Sequence, residues 1–274
     1  MPYLGKLGLT VVAHARSAQA DIVFDLSDRA LTYEQLTRVR PDVIINLVGL
    51  TSVELCEEQV NLAYLTNTRT VENLAHWMRA SGADCHLVQV STDHVYDGTG
   101  LHTENEITLT NYYAYSKYAG ELAACGVPST ILRTNFVGKS KVAHRESLTD
   151  WVYNSIAKKQ HVQVLDDVYF SPLSISTLVE MIGLVVERRP LGIYNLGSHA
   201  GMSKADFDFA FAECLRLPTG TMTRIETSQA KFLKAYRPRD MRMDCSKFED
   251  VMRIKLPTLQ ELIQQMAKEY DETA

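Results

Sequence analysis

The chain has 274 residues, enough for one large domain or a domain with a smaller lobe, and 46% of them are hydrophobic. A formal net charge of −5 without any basic stripe argues against a nucleic-acid surface, which needs cations to neutralise phosphates. Cys56, Cys85, Cys125, Cys214 and Cys245 are odd in number and never spaced as CxxC, which argues against a disulfide framework or a structural zinc site. There is no apolar run of about eighteen residues and no basic signal peptide, so a soluble cytoplasmic protein with reduced thiols and no membrane partner is expected.

In chain order, "LTVVAHAR" (9–16) is a short β-branched apolar run closed by a charge, and it predicts a buried strand. "DIVFDLSD" (21–28) predicts a second, followed by a helix through "LTYEQLTRVR". "PDVIINLVG" (41–49), opened by proline and closed by glycine, predicts a third strand. From Val53 to Ala80, Leu62, Leu65, Leu74 and Trp77 recur at helical spacing. "CHLVQVST" (85–92) predicts a strand, "YYAYSKYAGELAA" a helix stopping near Gly126 and Pro128, and "PSTILRTNFVG" (128–138) another strand. Such alternation predicts βαβ units and a parallel sheet covered on both faces.

Beyond Gly138 the pattern loosens. Short strands or turns are expected at 162–172 and 191–198, and helices near 203–216 and 258–270. This part is expected to form a smaller lobe at the carboxyl edge of the sheet, where open α/β sheets bind ligands. The lysine runs at 139–141 and 157–159 are expected to be solvated faces.

The segment "NYYAYSKYAGE" (111–121) carries the chemistry. Residues three or four apart share a helix face, so among its tyrosines only Tyr113 stands beside Lys117. A neighbouring ammonium favours phenolate and draws a tyrosine below its usual pKa of about 10. Tyr113 thereby becomes a proton donor suited to carbonyl reduction, in which the oxygen becomes an alkoxide. "QVSTDHVYDG" (89–98) follows a predicted strand, and a hydroxyl there, Thr92 or Ser91, would donate to the same oxygen.

A strand ending in S-T-D-x-V-[FY], then Y-x-x-[ST]-K-x-x-G-E, resembles the extended short-chain dehydrogenase/reductases that act on nucleotide sugars. The chain is most similar to the dTDP-4-dehydrorhamnose reductase family through "DVIINLVGLTSVE" (42–54), Asn67, "ILRTNF" (131–136), "FSP" (170–172), "GIYNLGS" (192–198) and "RPRDMRMDCSK" (237–247). The resemblance implies an α/β, Rossmann-like doubly wound parallel sheet, with residues 1–138 as the dinucleotide-binding domain. Residues 139–274 would be mainly a substrate-binding lobe, with some elements returning to the sheet. It implies reduction of a 4-keto-6-deoxy nucleotide sugar by NADPH, or NADH, in an enzyme that allows a homodimer.

Carried over by position, the resemblance makes Thr92 the hydroxyl that orients the carbonyl, Tyr113 the proton donor and Lys117 the lysine that also holds the nicotinamide ribose. Gly49, Leu50 and Thr51 would lie along the cofactor, with Asp25 and Leu26 near its adenine. Val53, Asp93 and Phe136 would face the sugar, Phe136 standing where the family often has tryptophan. Related dehydratases carry Asp-Glu after the threonine. Here the second position is His94, which argues against elimination and reads as a packed or pocket-lining residue. Arg16 suits the 2′-phosphate of NADPH.

The family opens with a strand, G-x-x-G-x-x-G and a helix, and this sequence has no such motif. Gly5 and Gly8 read as helix-end and turn glycines, so the first strand and glycine loop are expected to be missing, an internal methionine of a longer product is expected at the start, and cofactor affinity is expected to be low. A non-catalytic subunit resembling the β regulatory subunit of methionine adenosyltransferase is the alternative, and a nucleotide-sugar epimerase is a third reading that "RPRDMRMDCSK" opposes.

Overall fold

The computed structural model describes residues 2–271 apart from positions 18, 141, 143 and 144. Helix α1 (Pro2–Lys6) leads to β1 (His14–Ala15), which pairs in parallel with β2 (Ile22–Val23). Both strands are far shorter than the runs at 9–16 and 21–28, because they pair as a two-stranded sheet of their own. The helix expected after β2 is α2 (Arg29–Val39), whose N-cap Asp28 accepts a hydrogen bond from Leu31 N at 3.0 Å.

After β3 (Val43–Asn46), the region expected as one helix is broken into α3 (Val53–Glu58), α4 (Val60–Tyr64), a π-helical turn (Leu65–Arg69) and α5 (Thr70–Ser81). The π turn has a local cause. It directs Asn67 and Thr68 inward, where Asn67 Nδ2 donates to Ser116 Oγ and Thr68 Oγ1 donates to Ser116 O, each at 2.8 Å. Next come β4 (His86–Val90), α6 (Tyr112–Ala124) and β5 (Ser129–Thr134). Asn111 caps α6 by accepting from Ala114 N at 2.8 Å.

The run expected as one strand to residue 138 breaks at Asn135, and β6 (Phe136–Val137) pairs elsewhere. The chain continues through α7 (Leu148–Ala157), β7 (Val162–Leu165), β8 (Tyr169–Phe170), β9 (Leu173–Ser174), α8 (Ile175–Arg188) and β10 (Gly192–Leu196). It ends with β11 (Met202–Ser203), α9 (Lys204–Cys214), β12 (Met222–Ile225), α10 (Ser246–Met252) and α11 (Leu259–Asp271). The sequence reading missed α7, α8 and α10. The capping box of α7, formed by Ser147 and Asp150, was its available signal.

The chain divides into two compact units. The first comprises residues 1–92, 111–133 and 179–194. Its sheet runs β10-β5-β4-β3, with β3, β4 and β5 parallel. Its core joins Trp77, Leu74 and Val71 of α5 to Leu87, Ile131, Phe24 and Leu36. The second comprises residues 93–110, 134–178 and 195–274. It is held by an aromatic chain, Phe170 edge-on to Phe207 at 5.4 Å, Phe207 stacked on Phe211, and Phe211 edge-on to Tyr270 at 5.3 Å.

Of the lysine runs, Lys158 and Lys159 are exposed, whereas Lys139 lies 4.9 Å over the Tyr270 ring and is no solvated face; position 141 lies outside the described residues.

Gly120 marks the closest approach within the first unit. A Cβ there would stand 2.5 Å from the Asn67 carbonyl oxygen and 3.3 Å from Val71 Cγ2. Gly120→Ala is expected to destabilise the protein by about 1–3 kcal/mol through overpacking, measured by urea unfolding. An unchanged midpoint would show that the two segments separate freely.

Candidate active site

In the first unit, α6 divides its tyrosines between two faces. Tyr113 and Lys117 are 8% and 6% exposed, whereas Tyr112 and Tyr115 are 48% and 54% exposed. The Lys117 ammonium donates to the carbonyl of Val90, the last residue of β4, at 2.7 Å. Burial draws Lys117 down to about 8, with the Glu121 charge acting in the opposite direction. Two residues beyond that carbonyl is Thr92, also buried. Thr92, Tyr113 and Lys117 thus all belong to the first unit.

The loop after β3 lies against the same helix. Asn67 holds it from both sides, accepting from Leu50 N at 2.7 Å and donating to Leu50 O at 3.1 Å. A Cβ on Gly49 would sit 3.8 Å from Lys117 Nζ and 3.5 Å from Asn67 Oδ1. These are ordinary contact distances, so the loop backbone runs within side-chain reach of the lysine, with Leu50 and Thr51 following. Val53 is buried in the first turn of α3.

Arg16, Asp25 and Leu26 form a separate group just past β1 and β2. Arg16 is exposed. The Asp25 carboxylate accepts from Ser27 N at 2.8 Å, and this bond, with Arg16 nearby, holds its pKa below the usual value. Leu26 packs into the core, and its carbonyl accepts from Thr32 Oγ1 and Asn73 Nδ2.

These residues fit the two ends of a nicotinamide dinucleotide unequally. Lys117 beside the Gly49 backbone suits the nicotinamide ribose. For the diphosphate, Gly8 (φ 77) closes a turn onto the Gly5 carbonyl directly after α1, which is a helix-end role. No strand-to-helix turn with the three-glycine spacing occurs among the described residues.

The second unit carries Asp93 and Phe136. Asp93 is buried and accepts from Asn135 Nδ2 at 2.8 Å, while Phe136 is half exposed. Burial, helped by the charges of Lys204 and Arg237, draws His94 down to about 3 and keeps its ring neutral. This unit also holds a cleft of about 440 Å³ whose walls include Trp151, His161, Lys204, Asp208, Phe232 and Arg237. Burial pushes Asp208 up to about 7 against the charge of Lys204. The sequence reading named only Arg237 of these, within "RPRDMRMDCSK", since the others come from separate elements without a shared motif.

A family model described as RmlD substrate binding domain matches residues 3–272. A dTDP-4-dehydrorhamnose reductase of Sinorhizobium fredii is 27% identical, covering 94% of this chain and 93% of its own. The structure of dTDP-4-dehydrorhamnose reductase from Bacillus anthracis in complex with NADP aligns with a TM-score of 0.82 at 22% identity, over 89% of this chain and 86% of its own. The Bordetella bronchiseptica enzyme WbmG, in complex with NAD and UDP, aligns with a TM-score of 0.81 at 16% identity, over 99% and 90%. The chain belongs to the RmlD substrate binding domain family and has a Rossmann-like α/β fold.

Proposed function

We propose that the protein reduces the 4-keto group of a 6-deoxy nucleotide sugar, with NADPH, or NADH, as the hydride source. The observation that carries this reading is the burial of Tyr113 and Lys117 on one face of α6, with the Lys117 ammonium fixed to the carbonyl of Val90, two residues before the buried Thr92. The bound cofactor supplies a hydride to the carbonyl carbon. The Tyr113 phenol gives its proton to the carbonyl oxygen as negative charge builds there, and Thr92 donates a hydrogen bond to the same oxygen. Lys117 supplies the positive charge that makes the phenol acidic. It also holds the nicotinamide ribose with Gly49, Leu50 and Thr51. Arg16, Asp25 and Leu26 take the adenosine end, and the Arg16 guanidinium favours a 2′-phosphate.

For the substrate, the residues read as facing a sugar are Val53 in the first unit and, in the second, Asp93 and Phe136. The cleft of the second unit suits the nucleoside diphosphate, with Lys204 and Arg237 for phosphate and Trp151 and Phe232 for the base. His94 supports reduction over elimination, because it stands where the related dehydratases carry glutamate, and an imidazole drawn down to about 3 is a weak base near neutrality.

One observation favours a second reading, a non-catalytic subunit acting through a partner protein: the described residues include no three-glycine diphosphate turn. Oxidation of NADPH in the presence of a dTDP-4-keto-6-deoxy sugar supports the enzyme. NADPH binding without turnover, together with recovery of a bound partner protein, supports the subunit.

Tyr113→Phe is expected to lower kcat at least about 100-fold while NADPH affinity stays within about twofold, measured by steady-state kinetics and calorimetry. Unchanged turnover refutes the assignment. The pH dependence follows from Lys117. Its ammonium is present at low pH and is lost as pH rises through about 8, so reduction falls on the alkaline side of that value. A rate still level about two pH units higher would remove Lys117 from the mechanism.

A further inference from the structure

We infer that Glu121 is a positioning residue that sets the Tyr113–Lys117 helix against the strand end bearing Thr92, an inference that rests on the proposed reduction. Lys117 and Glu121 stand one turn apart on α6 and attach to consecutive residues where β4 ends. Lys117 Nζ donates to Val90 O at 2.7 Å, and Ser91 Oγ donates to Glu121 Oε1. Thr92 is the next residue. The same carboxylate receives β5 through Arg133, Nη2 to Oε2 at 2.7 Å and Nε to both oxygens at 3.1 Å.

Glu121 and Arg133 are each only 1% exposed, and Ser91 is 5% exposed. The backbone closes the arrangement, since Ser91 N donates to Leu132 O at 2.7 Å. One carboxylate therefore joins the helix of the proton donor, the strand end of the carbonyl-orienting threonine and the neighbouring strand. An ion pair that served only to bind α6 to β5 would need neither the Ser91 hydroxyl nor a place one turn from Lys117. The Glu121 charge also opposes the loss of the Lys117 proton that burial favours.

Other charged and titratable groups around α6 sit further along it or are already engaged. Cys125 lies on the next turn, its thiol raised by burial and then by Glu121. Glu57 of α3 accepts from Tyr112 N at 2.8 Å, and Arg69 of the π turn pairs with Glu72 of α5 at 3.3 Å. Arg79 of α5 reaches Gly126, beyond the end of the helix.

The test is titration of Lys117 by NMR of ¹³Cε-labelled lysine in the full chain, its signal assigned by loss in Lys117→Met. Wild type is compared with Glu121→Gln and with the double variant Glu121→Gln/Arg133→Met, which removes both buried charges and so leaves neither unpaired. Glu121→Gln is expected to titrate about one pH unit lower, with kcat reduced about twofold at about pH 7 and about tenfold above about pH 9, and KM within about twofold; the double variant, which also loses the Arg133 charge, is expected to shift less. A Lys117 midpoint that stays in place in folded Glu121→Gln overturns the inference. Ser91→Ala keeps the ion pair and is expected to leave the midpoint unmoved while lowering kcat about threefold. An unchanged kcat in Ser91→Ala overturns the inference, including the case in which the charge variants do not fold. The Lys117 titration needs no substrate, so turnover persisting in Tyr113→Phe would remove the proposed reduction while leaving the effect of Glu121 on Lys117 measurable.

Discussion

The near contact of two backbones, α6 at Gly120 against the π turn at Asn67, is the constraint on which the first unit's site depends. No side chain separates the segments there, so the register of α6 is fixed by backbone and not by adaptable packing. Asn67 then uses both ends of its amide, spanning the Leu50 peptide and Ser116. Each such bond adds only about 0.5–1.5 kcal/mol net, but a buried amide left unpaired costs about 1–3 kcal/mol. The amide therefore rejects other arrangements of loop and helix more strongly than it stabilises this one. Its consequence is positional: the loop after β3 and the buried face of α6 meet with Gly49 beside Lys117.

The polar groups enclosed in this unit follow the same logic. Asn46 and Gln89 link β3 to β4 by a side-chain bond of 2.7 Å, and Arg133 and Glu121 join β5 to α6. Buried ion pairs often stabilise no more than well-packed apolar residues of similar volume. What they add is direction, because each demands a partner at one distance and angle. The second unit encloses polar groups as well, with Tyr96 Oη donating to Asn195 Oδ1 and Leu256 N to Glu249 Oε1. It adds stacked and edge-on aromatic rings, while Lys204 and Arg237 lie along an open cleft.

Where the chemistry is local in the chain, the sequence is readable. The spacing between Tyr113 and Lys117 reports a helix face, and α6 occupies the predicted residues 112–124. The breaks near Gln59 and at the π turn are invisible, since Leu62, Leu65, Leu74 and Trp77 keep a helical period across the turn while Asn67 obeys a demand from α6. The run at 9–16 fails for the opposite reason. Its β-branched residues favour extended backbone, but a strand is defined by its neighbour, and only His14 and Ala15 find one. The carboxylate of Glu121 was visible as part of a motif, and its ties to Ser91 and Arg133 were not, because they cross three elements. The cleft of the second unit is harder still, assembled from residues scattered between 148 and 237.

The chain has two tryptophans, and the fold assigns one to each unit. Trp77 is sealed in the core of the first, its indole N–H donating to Thr37 Oγ1 at 3.1 Å. Trp151 is 37% exposed on the cleft of the second. Their surroundings differ enough to separate their emission, a buried blue-shifted indole from a wet one open to quenchers. The unmodified protein thus carries an intrinsic optical reporter in each half, so loosening of the first core and filling of the second cleft can be followed independently in one sample.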